Sequence, residues 1–577
     1  MTLPHTPARS RPRPTAAPLL RPVIVAVVIV AMVGGCGLFG GDDEAVDSPS
    51  AGAGSDPEEL VLTGWSDVAA DEVADGGALR IGISTLPATF NPVHADASTG
   101  PGGSDLEQLL GPTTGDAVRL TEDGGWEVDE DYAESVEMDR EDPLTVRVRL
   151  NPDAVWQQGT PITAADMRAY WQAMNGSNDG YRVTSTDGYD DIEAVENGDD
   201  EHEYTVRFST PRSDWPRFVY PRLPRSISGD AKSFNTAFTE RPVPSNGPFV
   251  VTDIDPESGT ITQERNPRWW GRTPKLEQIV WRVATPEVQA EAFDADELDV
   301  IDVDATSAPD VDPDLLRRSA GSSWTHLTLG AGSGPLANED VRQAVALALD
   351  RQAVAADAVD GIEAAPSVAT SVFTVPGQQG HDEDAEPPER DVEAARELLA
   401  GAGYDVGEQT TRDGKQLTLS FPVPEGSSAI VRRAELVTEQ LADVGIAVDV
   451  TQVPQEDFAE QVFVPRDFDL VTFSWDAQLL GVASAQSRYR PVDSADNVTG
   501  VASGSAEQWS DAVTALDDDA RHEAVSALDS AVLEQHVVVP LAVPPVVLAV
   551  RDGVAGYGPS AFEKPDYTRV GFTDVGD

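Results

Sequence analysis

From Ala78 onward, apolar positions recur at spacings that switch between two and about 3.6 residues, the periods of strands and helices in one chain. Leu79-Arg80-Ile81-Gly82-Ile83 and Leu144-Thr145-Val146-Arg147-Val148-Arg149-Leu150 alternate apolar and polar side chains and read as half-buried strands. After the second, Thr163 with Asp166 three residues on predicts a helix start, and Met167, Tyr170, Trp171 and Met174 then share one face. Asn338 predicts another N-terminus, ahead of Val341, Ala344, Val345, Ala348 and Leu349. Asp391 opens a third helix that closes near Gly401 and Gly403.

The stretch Leu417 to Val453 reads as one βαβ element. Leu417, Leu419, Phe421 and Val423 alternate, a helix runs from about Ser428 to Asp443, Gly445 ends it, and Ile446, Val448 and Val450 alternate again. A parallel pair joined by a helix predicts an α/β layer. Val537-Val538-Val539-Pro540-Leu541 and Val546-Val547-Leu548-Ala549-Val550 read as buried strands. This body of roughly 500 residues exceeds what one core serves, so two or three domains are expected.

The N-terminus is of another kind. Arg9, Arg11, Arg13 and Arg21 precede an uncharged apolar run from Val23 to Val33, the pattern of a signal peptide. A spanning helix needs ~20 apolar residues, so the run is too short to be one. Val33-Gly34-Gly35 then precede Cys36, the only cysteine, which resembles the lipobox of bacterial lipoproteins. Cys36 is therefore the expected site of lipidation, tethering the protein to the outer face of the cell membrane. Residues 37 to about 77, rich in Gly, Ser, Asp, Glu and Pro, read as a flexible acidic linker. With one cysteine there is no intramolecular disulfide.

The formal charge of −60 becomes −64 once the four leader arginines are removed. Such a surface repels phosphate, which sets nucleic-acid binding aside. The acids are spread along the whole chain, as a solvated surface that resists association requires.

Several blocks, in order, resemble the extracytoplasmic solute-binding proteins of family 5, the dipeptide and oligopeptide class that serves ABC importers. They are LRIGISTLPATFNP from Leu79, LTVRVRLNPDAVWQQGTPITAADM from Leu144, SNGPFVV from Ser245, NPRWW from Asn266, PLANEDVRQAVALALDR from Pro335, DVEAARELLAGAGYD from Asp391, the βαβ unit with GIAVDV, and FDLVTFSW ending at Trp475. The run from Ala169 to Glu196 is similar to actinobacterial monoacyl phosphatidylinositol tetramannoside-binding lipoproteins. The resemblance implies an α/β fold of the two-lobed periplasmic-binding-protein type II, a Venus flytrap with an extra subdomain in the first lobe. The implied organisation is a signal peptide at 1–35, the lipidated cysteine and linker at 36–77, lobe I at 78–115, 240–322 and 537–577, its extra subdomain at 116–239, and lobe II at 323–536.

The same resemblance implies a site. Family members that bind peptides carry an aspartate three residues after the tryptophan ending the FDLVTFSW-type strand, where it pairs with the ligand's ammonium. Here that position is Gln478, a neutral amide, with Asp476 as a displaced substitute. A paired charge in a closed cleft is worth several kcal/mol, so its loss counts against free peptide as ligand. Trp475 is either an aromatic wall of the cleft or a core residue. Thr89, Phe90 and Asn91, at the end of the first strand, complete the candidate ligand contacts.

Other chemistries find little support. The seven histidines are scattered without metal-ligand spacing, and Asp302-Val303-Asp304 and Asp312-Pro313-Asp314 lack the further ligands of a calcium loop. Neither metal nor cofactor is expected. Gly330-Ala331-Gly332-Ser333-Gly334 is followed by no Lys-Ser or Lys-Thr pair, and no nucleophile elbow occurs, so an enzyme is not expected. The expected function is a monomeric, membrane-anchored receptor that captures a peptide-like or glycolipid/oligosaccharide ligand and delivers it to ABC permease subunits. The alternative is a lipoprotein that regulates phosphatidylinositol mannoside and lipoglycan synthesis by binding a glycolipid intermediate or a biosynthetic enzyme.

Overall fold

The computed structural model describes residues 60–573 apart from 67, 98–102, 239–240 and 305–306, so the leader and Cys36 lie outside the described residues. The local signals of the sequence become the expected elements. Thr163 and Asp166 form a capping box at the helix Ala164–Met174, with the Thr163 amide donating to the Asp166 carboxylate at 3.0 Å. The Asn338 side chain accepts from the Asp340 amide at the start of Glu339–Ala348, and Asp391 does the same for Ala394 in Val392–Gly401. Thr418–Pro424 and Ala447–Val453 pair in parallel across the helix Ser428–Ala442.

These elements assemble into two lobes. The first is built on a seven-stranded sheet in the order 316–319, 546–550, 300–302, 78–83, 278–283, 260–265 and 249–255. Ala78–Ile83 lies within it, parallel to Gln278–Val283 from Ala78 opposite Gln278 to Ile83 opposite Val283. A four-stranded antiparallel sheet (133–141, 144–150, 203–208, 192–197) packs against the same core: Val146, Val148, Tyr204 and Val206 are buried in one cluster with Leu79, Ile81 and Trp281. The second lobe carries the antiparallel sheet 470–476, 323–329, 538–542 beside the βαβ pair. Alternation in Leu470–Asp476 serves two cores, with Val471, Phe473 and Trp475 in one cluster and Leu470 in the other.

The chain passes between lobes at 320–322 and again at 543–545, and these two crossovers touch. A Cβ on Gly321 would overlap the Pro544 carbonyl oxygen, so only glycine permits this approach. Two of the expected boundaries change here. Val538–Ala542, assigned from sequence to lobe I with 537–577, is hydrogen-bonded to Ser323–Leu329 in the second lobe, and only after Pro544-Pro545 does Val546–Val550 join the first-lobe sheet. A proline cannot donate to a ladder, so the pair ends one strand and frees the chain to change sheets. The linker also ends before Ala78. Leu60 packs on a cluster that joins Ile301 and Val547 of the first lobe to Val359 and Ile362 of the second, Leu62 packs on a second-lobe cluster, the Ala320 amide at the crossover donates to Val61 O at 2.7 Å, and Val73 is buried. Residues 60–66 thus strap the hinge.

Candidate ligand site

The lobes meet around a recess of about 390 Å³. On the first-lobe side, the turn between Val118–Leu120 and Trp126–Val128 reaches across, and Asp123 O accepts from the Gln379 amide at 2.7 Å. A second bridge runs from the Ser213 amide to Val513 O, also 2.7 Å. Trp126, half-buried, lines the recess and packs in a T-shaped contact with Trp215, ring centroids 5.3 Å apart. The Asp123 carboxylate is engaged by the Thr121 hydroxyl and the Gly125 amide, and the Thr121 bond holds its pKa below the ordinary carboxylate range.

Ser213 is held in place by its neighbour. Arg212 is 2 % exposed, and its guanidinium pairs with Asp214 at 2.7 and 2.9 Å and with Asp191 at 2.6 Å while lying 4.5 Å over the Phe218 ring. Burial alone would lower the Arg212 pKa, but its aspartates outweigh that and raise it. Ser213 Oγ, buried at the recess wall, has no hydrogen-bond partner among the described residues. A buried hydroxyl left unpaired costs about 1–3 kcal/mol, which a bound group that pairs with it would recover.

The second-lobe wall is built of amides. Gln478 follows the strand Leu470–Asp476, and its backbone N–H donates to Phe373 O at 2.6 Å. Its side-chain Oε1 accepts from Ser484 Oγ at 2.6 Å, and Nε2 donates to Asp476 O at 3.1 Å, leaving one N–H. Gln378 Nε2 donates to the Gln478 backbone O at 2.7 Å and so braces the main chain at that position. Leu480, Val482 and Val525 supply an apolar lining, and the Asp518–Arg521 pair at 2.8 Å sits beside them. The lining combines amide and hydroxyl groups and Trp126 with charges that are already engaged, Asp123 by Thr121 and Gly125 and Asp518 by Arg521, and it can hold a molecule by hydrogen bonds and packing. Among the described residues no group of three or more His, Cys, Asp or Glu side chains is placed to hold a metal ion.

Of the residues singled out from sequence, Gln478 lines the recess. Asp476 is exposed nearby, accepting from Ser323 Oγ at 2.7 Å. Trp475 is 8 % exposed and enclosed by Trp324, His326, Phe473 and Tyr489, with Arg488 over its ring at 5.1 Å, so it packs in the second-lobe core next to the site. Thr89, Phe90 and Asn91 are not brought to the recess: Thr89 Oγ1 donates to Phe238 O at 3.3 Å, Asn91 Nδ2 donates to Phe234 O at 3.0 Å, and Phe90 is buried in the first core. They pin their loop to the helix Ala231–Thr236 and the residues that follow it. Trp126, Ser213 and Gln378 also line the recess, and no sequence motif marks them. For Trp126 the available signal was the Gly124-Gly125-Trp126 turn between two short strands.

Two lobes, two touching crossovers and a recess where the lobes meet define a hinged solute-binding protein. A family model for bacterial extracellular solute-binding proteins, family 5, matches residues 127–492, and the chain belongs to that family. Among curated relatives, the oligopeptide-binding protein OppA of Mycobacterium tuberculosis is 28 % identical over 98 % of this chain and 95 % of its own. LpqW of the same organism, a probable monoacyl phosphatidylinositol tetramannoside-binding protein, is 27 % identical over 64 % of this chain and 63 % of its own. Among solved structures, a periplasmic EDTA-binding protein, EppA, superposes with a TM-score of 0.78 at 23 % identity, covering 90 % of this chain and 99 % of that one. AppA of Bacillus subtilis, in complex with a nonapeptide, gives 0.69 at 19 % identity over 87 % and 99 %. Among the described residues no helix is long and apolar enough to cross a membrane.

Proposed function

We propose that this protein is a lipid-anchored receptor on the outer face of the cell membrane. It closes its lobes on a peptide-like ligand and presents that ligand to an ABC permease. The observation that carries this reading is the recess at the lobe junction, where Gln478 offers an N–H and the buried Ser213 hydroxyl lacks a partner. Likeness to an oligopeptide-binding protein over nearly the full length of both chains supports the ligand class. A neutral amide at position 478 favours a ligand whose group at that point is uncharged, since the recess carboxylates are already engaged, Asp123 by Thr121 and Gly125 and Asp518 by Arg521. The receptor works as a monomer, because closure needs only its own two lobes. The glycolipid alternative has the shorter LpqW likeness behind it.

The test is a thermal-shift screen on protein starting near Gly41, unfolded and refolded to remove carried ligand. Free peptides, peptides blocked at the N-terminus, oligosaccharides and glycolipids are compared. A ligand at a hundredfold excess over its Kd stabilises by ~2.7 kcal/mol, and blocked peptides are expected to lead. Glycolipids responding while every peptide fails would overturn the reading.

A further inference from the structure

A second cavity, also about 390 Å³, lies wholly within the second lobe, between the helix Asp518–Leu533, the strand Val538–Ala542 and the loop that carries Thr370, Thr374 and Gly380. Val525, Leu533, Val538 and Pro540 give it an apolar wall, and Arg351 lines it as well. Thr374, Gly380 and Val525 line both this cavity and the interlobe recess, so the two abut.

Arg351 is the first residue of the helix Arg351–Ala358. It is 9 % exposed, its Nε is buried without a hydrogen-bond partner, and among the described residues no side chain forms an ion pair with it. Its neighbour Asp350 caps the helix instead, accepting from the Ala353 amide at 3.0 Å. Other buried arginines are treated differently by the fold. Arg212 has its aspartates, and Arg342, 7 % exposed, donates to Gln535 O at 2.8 Å and Leu336 O at 3.0 Å.

Among the described residues, no carboxylate lining the cavity forms an ion pair with Arg351. Asp529, its pKa raised by burial to about 6 and so ionised at pH 7.5, turns to the backbone and accepts from the Val372 amide at 2.8 Å. Asp382, Glu386 and Glu534 are exposed. His381 and His536 have their pKa values lowered by burial and are neutral at pH 7, whereas Arg351, pulled down to about 10 by burial, remains charged. An unpaired buried ion costs several kcal/mol. An anion entering the cavity would relieve that cost, and a guanidinium presents a planar fork matched to a carboxylate.

We propose that Arg351 anchors a second ligand site, distinct from the interlobe recess, which takes a small organic carboxylate with its apolar body against Val525, Leu533 and Val538. A cavity of this size lies within the ~300–1,000 Å³ range of small-molecule sites. The probe is octanoate, titrated calorimetrically into the refolded full-length mature protein at pH 7.5, with 1-octanol as the uncharged counterpart. Octanoate is expected to bind, and octanol to bind at least about tenfold more weakly, the factor that ~1.4 kcal/mol of charge-assisted hydrogen bonding supplies. Arg351→Gln should abolish octanoate binding and leave octanol unchanged. Should that variant not fold, Leu533→Trp, which fills the cavity from its apolar wall, should abolish the binding of both. No octanoate binding by the wild type, equal affinity for octanol, or octanoate binding that survives either folded variant would overturn the proposal. The outcome does not depend on which ligand the interlobe recess takes.

Discussion

Gly481 stands where the second lobe touches the first. Its φ is +146°, a backbone conformation that side chains with a Cβ rarely adopt, and a Cβ there would overlap Ser213 Oγ and approach the Asp214 amide to 3.3 Å. Gly481→Ala therefore carries two costs. Backbone strain of about 1 kcal/mol applies to the loop whether the lobes are open or closed. Overpacking of about 1–3 kcal/mol applies only when Ser213 is in contact. Taking ~2 kcal/mol for the second, the closed state loses a factor of about 30 relative to the open one. Ser213 cannot easily yield, because the Arg212–Asp214 pair beside it is buried and its own amide is committed to Val513 O. Small-angle scattering should then give a larger radius of gyration for Gly481→Ala than for the wild type. Adding Ser213→Ala should return the scattering toward the wild-type curve, because it removes the clashing atom but not the strain. The coupling between the two substitutions is the measured quantity, and a double-mutant cycle isolates it from any separate effect of the Ser213 hydroxyl. Superimposable scattering for wild type and Gly481→Ala, or a coupling indistinguishable from zero, would refute the claim that this contact belongs to the closed state.

Arg212→Gln should destabilise the protein by about 3–5 kcal/mol in urea denaturation, because it strands the fully buried Asp214 without its counter-ion; a loss under 1 kcal/mol would show that the aspartates find other partners. Asp129 should behave oppositely. Burial raises its pKa from 3.8 to about 6, so its protonated form is favoured by the fold. The stability this contributes is complete below the unfolded pKa and is lost as pH rises through about 6. Asp129→Asn should thus be more stable than the wild type at pH 7.5, by about 1–3 kcal/mol, with the gap closing toward pH 4. An equal gap at both pH values would mean that charge is not the cause.

How much of this was legible in the chain follows from how local each signal is. The Thr163–Asp166 box, the Asn338 cap and the Leu417–Val453 unit declare themselves within a few residues, since each is satisfied by the segment that carries it. Gln478 is marked instead by the family resemblance, as the position where peptide-binding members carry an aspartate, and it lines the recess. Val538–Ala542 was misplaced because an apolar run reads identically in either sheet; only the pairing with Ser323–Leu329, distant in sequence, settles which. Thr89, Phe90 and Asn91 are candidates only through the family resemblance of the segment that carries them, and the groups that bind them, Phe234 and Phe238, come from far along the chain.

Of the residues lining the recess, only Gln478 is among those the sequence singles out. Gln478 belongs to the sheet of a single lobe, whereas Trp126 and Ser213 acquire their roles only when the second lobe comes against them. Ser213 in particular is an ordinary serine by sequence. What sets it apart is a buried oxygen without a partner and a neighbour, Arg212, tied down by two strong ion pairs at 2.6 and 2.7 Å. A closing site must be rigid within each lobe and unfinished between them, because interactions already satisfied in the open state give a ligand nothing to complete. Groups whose hydrogen bonds the chain itself leaves undone, such as Ser213 Oγ, are the ones a ligand could complete, and local patterns of sequence, which mark satisfied groups, are least able to reveal them.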